Sequence, residues 1–542
     1  MHIAIDKGIE KDYIIATMFI HRNTKKVGNK VYHSTLLMHN YWDNGKVKHK
    51  VILNLSQWLP DQIEALSAAL KGKKVFSLDE LKTEEGKSIG ALWVFNELAK
   101  RSGIKKVLGN SRKGKLSLLM IMGRLLTQGS RLYLCEWGKE QALKQVIGID
   151  KYDEDDLYEA LDWLSSNQRE MEKKLYKIGY KKKAIRLFLY DVTSSYFEGQ
   201  CNEMAAYGYN RDGKRGKKQI VIGLLTQEEG DPISIEVFKG NSSDMTTVAS
   251  QVNKLVSEFG VKEVVFIGDR GMIKSEQAEN LTEAGYYYIT AITKPEIELL
   301  LRQGNLQMGL FDEKVMEISI DDVRYIMRRN PVRVEEIKNN RQQKFEKLCR
   351  TAVALSEKLA MHSRARTETA MKQINELAKK LRISEWTNIV MENRKINIFT
   401  DEEKLKAISK LDGCYVIKTN VSKKQLSTNK VHDRYKDLSL IEQAFRTIKT
   451  GFLEVRPIYV RKASRTKGHL FVTMLAYKLV RLFWQNTQHL GKELHHMIDA
   501  IDNIKTVHIS LANNTVTRIP DISEEKRHIF KALNITLPST LG

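Results

Sequence analysis

An α/β fold is the class this sequence predicts, and two features of the chain predict it. Between residues 185 and 294 apolar strand-like runs alternate with helical stretches. Outside that interval long segments keep the 3.6-residue period of helices. Three runs come first, with short connections: IRLFLYDVTSSYF (185–197), KQIVIGLLT (218–226) and PISIEVFKG (232–240). A helix (246–260), a strand VKEVVFIGD (261–269), a helix (274–285) and a strand YYYITAIT (286–293) follow. Three meandering strands and then helix–strand–helix–strand is the order of a ribonuclease H-like sheet. Asp191 falls on the first strand and Asp269 at the end of the fourth.

The flanking segments read differently. Residues 1–80 form a small β-rich N-terminal module ending in a helical stretch, PDQIEALSAALKG. Residues 81–184 are helical, with ALWVFNELAKRSG, KLSLLMIMGRLLTQG and DDLYEALDWLSSNQREMEKKLYKIG each closed by glycine. This region serves DNA binding or dimerisation, or is a plain scaffold; together with the β-rich module it makes an α+β N-terminal region. About 170 residues separate Asp269 from a third acid, Glu442, far more than a βα crossover needs. Residues 295–410 are therefore read as a domain inserted before the last helix of the core. The core resumes over 411–490, and 491–542 form a C-terminal tail region.

Composition narrows the partner. The 542 residues carry 89 Lys and Arg against 66 Asp and Glu, a formal charge of +23. That excess points to a polyanion such as nucleic acid. It is densest at Lys181, Lys182, Lys183 and Arg186, and again from Arg211 to Lys218, a spread that suits tracking a phosphate backbone. Four cysteines far apart argue for a reducing compartment and against a disulfide framework or zinc knuckle. The start of the chain has no signal-peptide layout. The apolar stretches at 116–126 and 470–484 are short and contain Arg124, Lys478 and Arg481, so no membrane association is expected.

Two acids at strand ends and one on a helix make an oxygen-ligand site for divalent cations. Phosphodiester chemistry on DNA faces a repelling polyanion and a poor leaving group, and two metals about 4 Å apart can activate the attacking oxygen and stabilise the leaving one. Each acid also has a structural reading. Asp191 and Asp269 could be turn residues, and Ser439-Leu-Ile-Glu442 fits a capping box that would spend the glutamate on a backbone N–H. Against the last, Leu438, Ile441, Phe445 and Ile448 form an apolar stripe, with Glu442 and Lys449 seven apart on one side of it. The glycine-punctuated connection holding Asn210, Arg211, Asp212, Lys214, Arg215 and Lys217 is a DNA-gripping loop or a solvated turn. His469 lies close to the acids or is a hydrogen-bonded core histidine. No Ser/His/Asp or Cys/His arrangement and no G-x-x-x-x-G-K-[ST] phosphate loop is present.

Tyr435, Glu442 and Lys449 together meet the pattern Y-x2-x-x3-E-x6-K. With YDVTSSYFEG (190–199), GYNRDGKRGKKQIVIGLL (208–225), FKGNSSD (238–244), FIGDRGM (266–272) and KGHLFVTMLAY (467–477), the chain resembles the DDE transposases of bacterial insertion sequences. Within them it is most similar to the insertion-sequence family 4 superfamily, 1634 branch. The resemblance implies a DNA transposase in which Asp191, Asp269 and Glu442 hold two Mg²⁺ ions, with Mn²⁺ able to substitute. It also implies DNA contacts from Tyr435 and Lys449, to which the basic positions Arg446, Arg211, Lys214, Arg215, Lys217 and Arg270 are added. The superfamily pattern has arginine where this chain has Leu438, leaving Lys436 or Arg446 to replace it. Expected partners are double-stranded DNA, both terminal inverted repeats and target, with a homodimer on paired ends and no nucleotide cofactor, in a bacterial cytoplasm at the nucleoid. A transposon-derived DNA-binding regulator and a nuclease without strand transfer are the alternatives.

Overall fold

The computed structural model describes residues 18–73, 81–179, 186–199, 201–209, 211–311, 315–511 and 514–540. Asn210 and Lys181, Lys182 and Lys183 lie outside the described residues. The chain divides into two compact units, one from residues 1–86, 506–520 and 539–542, the other from 87–505 and 521–538.

In the smaller unit β1 (Met18–Val27), β2 (Lys30–Asp43) and β3 (Lys46–Asn54) form an antiparallel meander, followed by α1 (Pro60–Leu70). The β2–β3 turn is Asn44-Gly45, both at positive φ, the pairing whose twist matches that of the flanking strands. Leu37, Leu55 and Ile63 form its small core, and β4 (Leu81–Ser88) follows.

The larger unit opens with α2 (Gly90–Arg101), α3 (Ile104–Leu108), α4 (Arg112–Leu126), α5 (Arg131–Lys139), α6 (Leu143–Val146) and α7 (Glu154–Ile178). Asp153 starts α7 by accepting from the Asp156 N–H at 2.9 Å, and Asp156 accepts in return from the Asp153 N–H, a reciprocal cap that satisfies two orphan donors. Next come β5 (Arg186–Tyr196), β6 (Gln219–Gln227), β7 (Pro232–Lys239), α8 (Asp244–Ser257), β8 (Val264–Ile267), α9 (Ser275–Glu283), β9 (Tyr287–Ala291) and α10 (Lys294–Arg302). The chain continues through β10 (Met316–Ile320), β11 (Val323–Arg329), α11 (Pro331–Met361), α12 (Thr367–Leu381), β12 (Thr387–Glu392), β13 (Lys395–Thr400), α13 (Glu402–Ser409) and β14 (Cys414–Thr419). It ends with α14 (Thr428–Lys436), α15 (Leu438–Arg446), α16 (Ala463–Thr487), α17 (Leu494–Asp502), β15 (Lys505–Leu511), β16 (Asn514–Arg518) and α18 (Glu524–Ala532). The strands β15 and β16 belong to the smaller unit, where the order β16-β15-β4 makes a second sheet.

A mixed eight-stranded sheet organises the larger unit, in the order β10-β11-β14-β9-β8-β5-β6-β7. The pairs β5–β8 and β8–β9 are parallel, and β5–β6 and β6–β7 antiparallel. All but the last residue of β6 is buried, as its unbroken apolar run requires of a strand covered on both faces. Phe188, Tyr190, Val264, Phe266 and Tyr288 share a core with Val252 and Leu255 of α8 and Leu281 of α9. Helix α16 packs against α7, α4 and β7. No described helix is long and apolar enough to cross a membrane.

The sheet runs past the boundary expected at residue 295. Residues 316–329 form a hairpin, because Asp321 and Asp322 both take positive φ and fold β10 back on β11. Strand β11 then pairs with β14, so both extend the sheet. Outside it stand α11, α12, the β12–β13 hairpin and α13, with a core of their own around Leu348, Ile374 and Trp386.

Helix α16 crosses α7 closely at Gly468, where an added Cβ would lie 2.3 Å from the Leu161 carbonyl oxygen. Backbone cannot yield as a side chain can, so Gly468→Ala should cost about 1–3 kcal/mol by overpacking. Urea unfolding checks this, and an unchanged midpoint contradicts the crossing.

Candidate catalytic carboxylate site

Register places the first two acids. Strands β5 and β8 run parallel with Leu189 opposite Ile267. Two residues further along each chain stand Asp191 and Asp269, and a two-residue step returns to the same face. Both carboxylates are therefore at one level beside each other. Asp191 is half-buried, and its Oδ1 accepts from the Val192 N–H at 2.7 Å. Asp269 is exposed and opens a tight turn: its Oδ1 accepts from the Gly271 N–H, and its carbonyl from Met272 and Ile273. Each carboxylate keeps one oxygen outside these local bonds, and among the described residues neither is ion-paired. Burial, then the neighbouring Asp269 charge, pushes Asp191 up to about 7, against the opposing Val192 N–H and Arg211.

Glu442 stands on α15, which packs against β5 through the face holding Ile441, Ala444 and Phe445. The helix begins at Leu438 with Asp437 as N-cap. Ser439 is inside the helix, so the capping box does not form and Glu442 is not spent on it. Glu442 is exposed. Tyr435, half-buried at the end of α14, links the acids electrostatically. Burial first, then the Asp269 and Glu442 charges, hold its phenol in the neutral form, with Arg270 opposing. Among the described residues no three His, Cys, Asp or Glu side chains are close enough to hold a metal ion. The structure thus brings Asp191 and Asp269 together and leaves Glu442 outside a three-carboxylate cluster. The donor chemistry of the aspartate pair, oxygen only and uncompensated by a basic partner, fits a hard divalent cation.

The basic residues divide sharply. Lys449 does not face outward as a phosphate ligand: it is buried, donates to Thr193 Oγ1 at 3.0 Å and pairs with Asp212 at 2.5 Å. The π-helical turn Thr447–Gly451 carries it inward, and burial pulls its ammonium down despite Asp212. Thr193 lies two residues beyond Asp191, so this contact fixes the end of α15 against the strand bearing the first acid. Asp212, buried in side chain, also pairs with Arg456 at 2.6 Å and accepts from the Tyr196 N–H at 3.1 Å. Arg211 pairs with Asp244 and has its N–H on Ser194 Oγ. Lys217 pairs with Glu198 at 2.8 Å, and Lys214 lies 5.8 Å over the Tyr196 ring. Arg215, Arg270, Lys436 and Arg446 are exposed. His469 is a core residue bonded to Arg131 at 2.9 Å, not a neighbour of the acids. Asp212 was expected only as a member of the basic connection, not as the partner of Lys449, and Arg456 was not singled out; a lone acid inside a basic turn is the one signal that could have marked the role of Asp212.

Comparison with known proteins identifies the family. A family model described as the transposase DDE domain matches residues 182–479, more than half the chain. Another, the N-terminal domain of the IS1634 family of transposases, matches residues 20–84. Among solved structures the chain is similar to the piggyBac transposase synaptic complex with hairpin DNA, at 8% identity and a TM-score of 0.35, covering 76% of this chain and 75% of that one. No curated protein matches.

Asp191 titrates near neutrality in the fold and near 3.8 when exposed. Below pH 4 both states hold the proton and the residue is neutral to stability. Between pH 4 and 7 the unfolded chain binds fewer protons, so stability falls as pH rises. In EDTA, Asp191→Asn should therefore be more stable than the parent at pH 8, by roughly 1–3 kcal/mol after solvent screening, and equal to it near pH 4. A pH-independent difference in melting temperature contradicts this. Removing Asp212 strands the buried Lys449 and the half-buried Arg456. Asp212→Ala should cost about 3–5 kcal/mol and Lys449→Met clearly less in the same urea titration; equal losses would deny Asp212 its central place.

Proposed function

Because the chain belongs to the IS1634 family of DDE transposases, we propose that Asp191, Asp269 and Glu442 carry its chemistry on a ribonuclease H-like core. The observation that bears most weight is the parallel register of β5 and β8, which sets two aspartates side by side. The order β7-β6-β5-β8-β9 within the sheet supports the core assignment. Asp191 and Asp269 would hold divalent metal, Mg²⁺ or Mn²⁺ and two ions in all, through the oxygens not committed to the Val192 and Gly271 amides. Glu442 would complete the set from α15, and the shared influence of Asp269 and Glu442 on Tyr435 supports that approach. When bound, the metal supplies Lewis acidity and a water of lowered pKa at the scissile phosphate.

The reaction has two stages. Water attacks a phosphodiester at the end of the element, breaks its bond to the 3′ oxygen and frees a 3′-hydroxyl. That hydroxyl then attacks a target phosphodiester and displaces a second 3′ oxygen. One phosphodiester is exchanged for another, so the joining step needs no ATP.

Tyr435, Arg446, Arg270, Arg211, Lys214, Arg215 and Lys217 would meet the DNA backbone, with Lys436 or Arg446 standing in for the arginine replaced by Leu438. Lys449 reaches phosphate in this reading only by leaving Asp212; while paired, it positions α15 on β5. Double-stranded DNA with terminal inverted repeats, bound by a homodimer across two ends at the nucleoid, completes the proposal. The regulator and nuclease readings are not favoured, because the family match covers the segment holding all three acids.

The test is cleavage of labelled end DNA by the purified protein. Nicking should require Mg²⁺ or Mn²⁺ and fall by about 10³-fold or more in Asp191→Asn, Asp269→Asn and Glu442→Gln, with DNA binding retained. Metal-dependent cleavage surviving in any one variant removes that residue from the site.

A further inference from the structure

Away from the carboxylates, two internal arginines lack the counter-charge that burial demands. Arg124 near the end of α4 and Arg131 at the start of α5 are 7% and 8% exposed. Among the described residues neither is ion-paired to a carboxylate. Arg124 Nη1 donates to the Gln128 and Leu453 carbonyls at 2.9 and 3.4 Å. Arg131 Nη2 donates to His469 Nδ1 at 2.9 Å, which requires that nitrogen to be unprotonated and the imidazole neutral. The Nε atoms of both arginines are buried without a hydrogen-bond partner. Burial lowers both guanidiniums, Arg124 to about 9 and Arg131 to about 10; the Arg131 charge adds to the first and Glu454 opposes it, while Tyr158 and Glu154 oppose the second without an ion pair.

The two arginines open on a cavity of 320 Å³, also lined by Ser130, Arg456, His469 and Glu454. A water takes about 30 Å³ of liquid, so the space admits a polyatomic ion. Glu454 weakly favours the Arg124 charge, and Arg456 is already paired with Asp212. The positive excess therefore rests on Arg124 and Arg131. An uncompensated buried charge is costly, and a guanidinium fork matches a tetrahedral oxyanion in shape and hydrogen bonding.

We propose that this cavity is a phosphate-binding site in which Arg124 and Arg131 grip one phosphate group, either of a DNA backbone or of free inorganic phosphate. The inference does not depend on which acids hold metal.

Melting of the full chain in rising inorganic phosphate, at ionic strength held constant with chloride, tests it. The expected result is a saturable rise of a few degrees, absent in Arg131→Gln. Binding to a linear duplex identifies the source. A backbone phosphate in the site lowers the slope of log K against log salt by about 1 in the variant, and an unchanged slope alongside the melting effect assigns the site to free phosphate. A reduced slope without a melting effect also supports the site, through DNA. No phosphate effect together with an unchanged slope overturns it, as does an effect of equal size in Arg131→Gln. Should that variant not fold, Arg131→Lys, which keeps the charge and loses the fork, makes both comparisons.

Discussion

The parallel pairing of β5 with β8 is the constraint from which the functional part of this molecule follows. Parallel neighbours need a crossover, here β6, β7 and α8, and their own ends point the same way. Any residue two steps beyond the last shared pair then meets its counterpart at one level. Setting two carboxylates there opposes stability, since like charges at short range cannot both ionise without cost. Burial first, and the Asp269 charge after it, raise Asp191 towards neutrality. The surrounding core around Phe188, Tyr190 and Phe266 fixes the strands firmly enough to sustain it.

A second layer of order sits on top of that pairing. Asp212 lies in the connection between β5 and β6 yet is joined to Lys449 and Arg456, both more than 230 residues later. One buried carboxylate thereby ties the connection after the first strand to the turn that closes α15. The helix bearing Glu442 is thus held at its far end, on Thr193, while Glu442 itself stays exposed near its middle.

Much of this was legible in the sequence, where local chemistry decided the outcome. The five strands from 185 to 294, the helices over 90–101, 112–126 and 154–178, and Asp269 just past the end of β8 all follow from apolar period and turn residues, whereas Asp191, expected at a strand end, stands in the middle of β5. The long α11 was not legible, because it buries only Leu348, Ala352 and Leu359 and shows little stripe. Nor was the membership of β10 and β11 in the main sheet, since pairing with β14 spans about 90 residues and periodicity carries no record of partners. Lys449 shows the same limit at the site: spacing placed it beside Glu442, but the π-turn and the distant Asp212 decide where its ammonium goes.

The sheet β16-β15-β4 has a consequence for how the chain is made. Strand β4 ends at Ser88, and its partner β15 begins at Lys505. A ribosome emits the chain from its N-terminus at about 5–20 residues per second. The edge of β4 therefore waits some tens of seconds, while residues 89–504 are made, before its partner emerges. During that time its unpaired N–H and C=O groups are open to other strands. The charged run Lys82, Glu84, Glu85 and Lys87 on β4 is the kind of guard that discourages a wrong partner in that interval. The smaller unit therefore cannot complete its second sheet until the segment carrying β15 and β16 has emerged.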